Sequence, residues 1–156
     1  MGGRVHHSAI CARDVEASLR FWRDGIGLEV LMDHSFDGDW PTLFGARSTR
    51  LRSVFLGDPA QGDAGVVELV AFADGADETS GPPPAAPAPG FFLLSLYIDV
   101  ESTLDRLRAL GFLRDDGDVR RITMPSPHGP VPMATVRDPD GVLVELVGRP
   151  ESGGAA

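Results

Sequence analysis

Two glutamates stand inside strongly apolar segments of the chain. Glu68 and Glu145 each occupy the second position of a Val-Glu-Leu-Val tetrapeptide, at residues 67–70 and 144–147. A carboxylate in such a run is costly if it faces a dry core. Strand alternation could point each acid to solvent, but its recurrence in both tetrapeptides favours a polar cleft. A carboxylate in a cleft can transfer a proton or bind a cation.

Histidines supply the second type of reactive side chain. His7 lies near the start of a predicted strand, where it is either a metal ligand or simply a polar residue. His6 precedes it, and strand alternation predicts that the two rings point to opposite faces, so that at most one of them faces a cleft. His128 lies in Ser-Pro-His-Gly-Pro, which is typical of a loop.

Other residue types exclude several chemistries. All 14 basic residues are arginine, so a lysine Schiff base and a Walker-type phosphate loop are excluded. Cys11 is the single cysteine, which rules out an intrachain disulfide and a cysteine-based zinc cluster and fits a reducing compartment. The net charge of −9 argues against a general nucleic-acid or anionic-membrane binder, since both need a positive surface.

No segment has the pattern of a targeting or membrane-spanning sequence. The first residues lack the apolar stretch of about 7–15 residues that marks a signal peptide. The longest apolar run, Phe91–Ile98, is far shorter than the roughly 20 residues of a transmembrane helix. We therefore expect a cytoplasmic protein.

The elements that position these residues occur twice. The two Val-Glu-Leu-Val segments lie 77 residues apart, and Asp14-Val15-Glu16 matches Asp99-Val100-Glu101 at an offset of 85. Each copy predicts the order β-α-β-β-β, with Asp14 and Asp99 as helix N-caps. The offset falls from 85 at the helix cap to 77 at the last predicted strand, so the second copy is shorter between these two elements.

This duplication predicts the domain organisation. A first module spans residues 1–73, a Pro-rich linker 74–90, a second module 91–149 and a frayed tail 150–156. A four-stranded sheet with one helix leaves an apolar face and open edges, so the modules must pair, within one chain or between two. The expected fold is α+β, with two tandem βαβββ modules pairing into a curved mixed sheet around a cleft. The open edges also favour a homodimer.

The order of these motifs resembles a known family. The stretch from His7 to Val30, together with Asp138-Pro139-Asp140-Gly141 and the following Val144-Glu145-Leu146, is similar to the vicinal oxygen chelate superfamily. This is the group of glyoxalases, bleomycin resistance proteins and extradiol dioxygenases. The resemblance covers roughly residues 4–149, but the fold hosts unrelated activities.

In metal-dependent members of that family, the ligands come from the first and last strand of each module. The resemblance implies that His7, Glu68 and Glu145 are metal ligands, with Glu68 and Glu145 also able to carry protons. The fourth position, counted seven residues before Asp99, is Phe92, which cannot bind a metal. One imidazole and two carboxylates can still hold Mn, Fe, Ni or Zn. The ion would bind two adjacent oxygens of a small-molecule substrate and stabilise the anion that forms.

Further residues are candidates for substrate binding. Phe92, Trp40, Phe44 and Tyr97 would offer apolar or stacking surface. Arg50 and Arg52 share one strand face by the period of two and could bind an anionic group. The acidic segment with Asp33, His34, Asp37 and Asp39 lacks the spacing of an EF-hand and is interpreted as a solvated loop.

The sequence leaves three functions open. The first is a metal-dependent lyase, isomerase (epimerase) or dioxygenase that acts on a small molecule with vicinal oxygens. The second is a metal-free protein that sequesters a hydrophobic or aromatic molecule such as an antibiotic, which Phe92 and its apolar strand favour. The third is a metal-free biosynthetic enzyme in which a cleft carboxylate performs acid–base catalysis.

Overall fold

The structure is a computed structural model that describes residues 3–62, 64–75, 87 and 89–150. The chain divides into two compact units, residues 1–81 and 82–156. This boundary falls within the predicted linker 74–90. Most of that linker, and residues 151–156 of the predicted tail, lie outside the described residues.

The described residues of the first unit form four strands, two short α-helices, a π-helical segment and one 3₁₀ turn, Pro59–Gln61. Its elements are, in order, β1 (His7–Cys11), α1 (Val15–Leu19), a π-helical continuation (Arg20–Ile26), β2 (Glu29–Asp37), α2 (Trp40–Phe44), β3 (Arg50–Gly57) and β4 (Val66–Phe72). The strand order is β1-β4-β3-β2. β1 is parallel to β4, and the other two pairs are antiparallel.

Asp14 begins the first helix as the sequence predicts. Its carboxylate accepts hydrogen bonds from the backbone N–H groups of Glu16 and Ala17, at 3.0 and 3.1 Å, which satisfies donors that have no partner within the helix. The helix ends at Gly27, whose φ of 97° lies in the left-handed region that glycine tolerates best.

The described residues of the second unit repeat this plan with one α-helix and one 3₁₀ turn, Asp116–Asp118. Its elements are β5 (Leu94–Tyr97), α3 (Val100–Ala109), β6 (Arg120–Met124), β7 (Val131–Arg137) and β8 (Leu143–Val147). The strand order is β5-β8-β7-β6, with β5 parallel to β8. The α+β class and the two β-α-β-β-β copies are thus confirmed, as two four-stranded mixed sheets. No described helix has the length and hydropathy required to span a membrane.

Two segments differ from the sequence-based expectation. The predicted loop around Asp33 and Asp37 is part of β2, and Asp39 caps α2 by accepting a hydrogen bond from the N–H of Thr42. β6 begins at Arg120 rather than near residue 112, because Asp115 and Asp118 accept backbone hydrogen bonds that favour a turn.

Each sheet buries one face beneath its helix. In the first unit the buried face includes Val54, Leu56, Val67 and Leu69, none more than 3% exposed. In the second unit Ala134, Val136, Val144 and Leu146 have the same role. Since successive side chains alternate, Glu68 and Glu145 lie on the opposite faces of their sheets.

We predict that the helix-packed face dominates stability. Leu69→Ala removes a fully buried side chain and should lower the free energy of unfolding by about 2–5 kcal/mol. Leu43→Ala, the same substitution at a side chain that is 66% exposed, should change it by less than about 0.5 kcal/mol. Urea denaturation monitored by circular dichroism measures both. Equal effects would contradict the assignment of faces.

Candidate functional site

One face of the first sheet brings together most of the reactive side chains of that unit. We call it the Glu68 face. The pairing register and strand alternation place on it the residues His7, Ala9, Cys11, Met32, His34, Phe36, Leu51, Ser53, Phe55, Val66, Glu68, Val70 and Phe72. The face combines a carboxylate and imidazoles with apolar and aromatic side chains.

Glu68 is held by side chains from both neighbouring strands. His7 Nε2 on β1 lies 3.0 Å from Glu68 Oε2, and the Ser53 hydroxyl on β3 donates a hydrogen bond to Glu68 Oε1. Both carboxylate oxygens therefore have a partner. The side chain of Glu68 is 13% exposed and that of His7 34%, so the pair is shielded but open to a small molecule.

The two adjacent histidines lie on the same side of the sheet. Their rings contact the Phe55 ring, with centroid distances of 5.9 Å for His6 and 5.2 Å for His7. The expectation that at most one of them faces the site is therefore wrong. The physical reason is that β1 begins at His7, so strand alternation does not extend to His6.

Helix α2 places an aromatic cluster at the end of the Glu68 face. The Trp40 and Phe44 rings stack at 5.7 Å and 11°, and Phe44 contacts the edge of Phe72 at 6.3 Å. A Cβ at Gly38 would lie 2.7 Å from the Trp40 ring, which explains why glycine precedes this helix. Phe72 is four residues from Glu68 on the same strand, or about 13 Å at 3.3 Å per residue.

In the second unit Glu145 has a different partner. The Ser95 hydroxyl donates a hydrogen bond of 2.6 Å to Glu145 Oε2, and the two residues are opposite each other in the β5–β8 ladder. Tyr97 lies on the same face of the second sheet as Glu145, which we call the Glu145 face, and is 88% exposed. Ile122 and Met124 on β6 are also on this face and are 57% and 47% exposed.

The pairing registers of the two sheets identify a different counterpart of His7 in the second unit than counting from the helix caps does. Ala9 pairs with Glu68, and Ser95 pairs with Glu145. His7 is two residues before Ala9, so its counterpart is Leu93, two residues before Ser95. Phe92, counted from the helix caps, is one residue out of this alignment; both Phe92 and Leu93 precede β5. Leucine, like phenylalanine, cannot bind a metal.

The arginine candidates lie away from the Glu68 face. Arg52 binds both carboxylate oxygens of Asp33, at 2.9 and 2.7 Å, and Glu16 on α1, at 2.8 Å. Hydrogen bonds with Asp33 and then Glu16 raise the pKa of Arg52, and the bond with Arg52 lowers the pKa of Asp33. Arg50 shares the helix-packed side by alternation. Arg50 and Arg52 therefore share one strand face, as the sequence predicts, and this face is opposite to that of Glu68.

Each unit by itself offers few side chains that could bind a metal. Among the described residues of either unit, no three His, Cys, Asp or Glu side chains are grouped as a metal site. His7 and Glu68 supply two donors in the first unit, and Glu145 supplies one carboxylate in the second. His128 lies in the turn before β7.

Sequence reasoning missed the partners of the two carboxylates. Ser53 is 2% exposed, and a buried hydroxyl in an otherwise apolar strand is a weak signal that a polar group lies nearby. Ser95 is a similarly weak signal, because it is one of two polar residues in the apolar segment 91–98. Neither partner could be assigned without the strand register, because their sequence separations are 15 and 50 residues.

Known proteins share this architecture. The family model of the Glyoxalase/Bleomycin resistance protein/Dioxygenase superfamily matches residues 4–146. The lactoylglutathione lyase-like protein terB of Aspergillus terreus is 40% identical over 94% of this chain and 75% of its own length.

Solved structures agree on the fold. A glyoxalase family protein from Bacillus cereus superimposes with a TM-score of 0.72 at 14% identity, covering 95% of both chains. The antibiotic binding protein TnmS3 from Streptomyces superimposes with a TM-score of 0.54 at 20% identity, covering 96% of this chain and 97% of its own. The resemblance noted in the sequence is confirmed, and the chain belongs to the glyoxalase, bleomycin resistance protein and dioxygenase superfamily.

Proposed function

We propose that the protein is a metal-dependent enzyme that acts on a small molecule with two adjacent oxygen atoms. The contact between His7 and Glu68 carries this proposal, because it joins an imidazole and a carboxylate on an accessible sheet face. The sequence relationship to a lactoylglutathione lyase-like protein supports an enzyme of this type. A lyase, an isomerase and a dioxygenase are all compatible with these groups.

The geometry of His7 and Glu68 fits two neighbouring metal ligands. Nitrogen and oxygen ligands lie about 2.0–2.2 Å from such a metal ion, so two adjacent ligands of an octahedral site are about 3 Å apart. The Nε2–Oε2 distance is 3.0 Å. Glu145 is the proposed third ligand, and one imidazole with two carboxylates suits Mn, Fe, Ni or Zn.

Each side chain then has a defined task. Ser53 orients Glu68 through Oε1, and Ser95 orients Glu145 through Oε2. When bound, the ion would stabilise negative charge on the two substrate oxygens. Glu68 or Glu145 would accept a proton from the substrate carbon and return it. With Leu93 in place of a fourth ligand, one more coordination position would be open to the substrate.

We also propose that the enzyme is a cytoplasmic homodimer. β2 is an edge strand of the first sheet, and eight of its nine residues are exposed. A long exposed edge favours pairing with another chain.

We predict that metal affinity depends on His7 and Glu68. Protein purified without chelators should carry about one divalent ion per chain, measured by plasma mass spectrometry. His7→Ala and Glu68→Ala should each weaken Mn²⁺, Ni²⁺ or Zn²⁺ binding at least tenfold in titration calorimetry, because each removes a direct ligand.

The matched controls are His128→Ala and Glu29→Ala, which change the same residue types outside the site. They should bind metal as the unmodified protein does. Absence of metal in the native protein, together with no binding of added Mn²⁺, Fe²⁺, Ni²⁺ or Zn²⁺, would reject metal dependence. A substrate altered without metal would then favour acid–base catalysis by Glu68 or Glu145.

We predict that a fourth ligand can be restored at position 93 and not at position 92. Leu93→His should tighten metal binding by about tenfold, since the register makes it the counterpart of His7. Phe92→His should leave the affinity unchanged. Calorimetric titration of both variants decides between the two alignments, and tighter binding by Phe92→His alone would show that counting from the helix cap is correct.

A metal-free binding protein is the second candidate. The apolar surface of Tyr97, Ile122 and Met124 on the Glu145 face and the stacked rings of Trp40 and Phe44 favour it, because small-molecule sites are mostly apolar with few polar groups. The fold is shared with the antibiotic binding protein from Streptomyces. Phe92, 51% exposed, would add to this surface.

The aromatic cluster makes this candidate testable. Equilibrium dialysis with 1-naphthol and an anthraquinone should give micromolar dissociation constants, and each compound should be recovered with unchanged mass. Phe44→Ala should weaken binding by about two- to tenfold, the equivalent of one ring contact. Leu43→Ala, on the same helix, should not. A chemically altered compound would exclude a pure binding role.

A further inference from the structure

His7 uses both of its ring nitrogens. Its Nε2 faces Glu68 at 3.0 Å, and its Nδ1 lies 2.7 Å from Nδ1 of His6. The two imidazole rings meet edge to face, at 5.0 Å and 86°, and both contact Phe55. His6 is therefore held against His7 by ring packing and by a nitrogen–nitrogen hydrogen bond.

The donor in this bond depends on what His7 binds. A neutral imidazole has one donor nitrogen and one acceptor nitrogen. When His7 Nε2–H donates to Glu68, its Nδ1 is an acceptor, so His6 Nδ1–H must donate. When His7 Nε2 gives its lone pair to an ion, its proton resides on Nδ1, and His6 must accept. An imidazole can do both by changing tautomer.

We infer that His6 is a positioning residue that supplies His7 with a hydrogen-bond partner both with and without metal. His6 is exposed, so its outer nitrogen can exchange a proton with water when the tautomer changes. The metal-bound half of this inference rests on the proposed function. The hydrogen bond in the metal-free protein does not.

The metal-free state is tested by nuclear magnetic resonance. Long-range proton–nitrogen correlation spectra of the full chain report which nitrogen of each imidazole carries a proton. We expect the proton of His7 on Nε2 and that of His6 on Nδ1. Protons on Nε2 of both rings would overturn the inference, because no bond could then join the two Nδ1 atoms.

The metal-bound state is tested by substitution. His6→Phe retains a ring against Phe55 but removes the nitrogen, and should weaken Mn²⁺ or Zn²⁺ binding by roughly 10–100-fold, as loss of a metal ligand's hydrogen-bond partner does. His6→Gln, which can donate or accept, should restore most of the affinity. His128→Phe is the matched control and should have no effect.

The two tests separate this inference from the proposed function. If the unmodified protein binds no metal, the proposed function fails, and the tautomers of the metal-free protein still decide the role of His6. If metal binds normally to His6→Phe, the role of His6 is rejected while the metal site stands. Circular dichroism of each variant checks that it folds.

Discussion

A carboxylate in the middle of an apolar sheet must find hydrogen-bond donors on the strands beside it. β4 lies between β1 and β3, and β8 lies between β5 and β7, so neither glutamate can turn to an open edge. Glu68 takes one donor from each neighbour, His7 and Ser53, whereas Glu145 takes Ser95 from its parallel neighbour. The acid thus constrains the strands around it, and the same contacts create the candidate site.

The two copies satisfy this constraint in different ways. In the first unit the His7 imidazole contacts Glu68. His7 lies two residues before Ala9, which is paired with Glu68 in the β1–β4 ladder. In the second unit Ser95 is the ladder partner of Glu145, and its hydroxyl donates the hydrogen bond. The fold is therefore duplicated, whereas the polar side chains around Glu68 and Glu145 are not.

Much of the fold could be predicted because its signals are local. Asp14 predicts the start of its helix because its carboxylate binds backbone N–H groups no more than three residues away. The repeated Val-Glu-Leu-Val segments predict two of the strands. α2 was missed because a helix of five residues has no periodicity to detect. Arg52 was placed correctly on an alternating face, but alternation alone does not say which face packs against the helix. Contacts such as that between Ser53 and Glu68 depend on register, which no local pattern specifies.

The connection between the first strand and the helix of each unit differs by one residue. The N–H groups of Ala12 and Ile98 bond to equivalent carbonyls, those of Val70 and Val147, yet Asp14 follows two residues after Ala12 and Asp99 only one after Ile98. Deletion of a residue inside β1 or β5 would turn every later side chain to the other face. The one-residue difference between the two units lies where the backbone leaves the ladder, so counting back from the helix caps does not identify equivalent positions in β1 and β5.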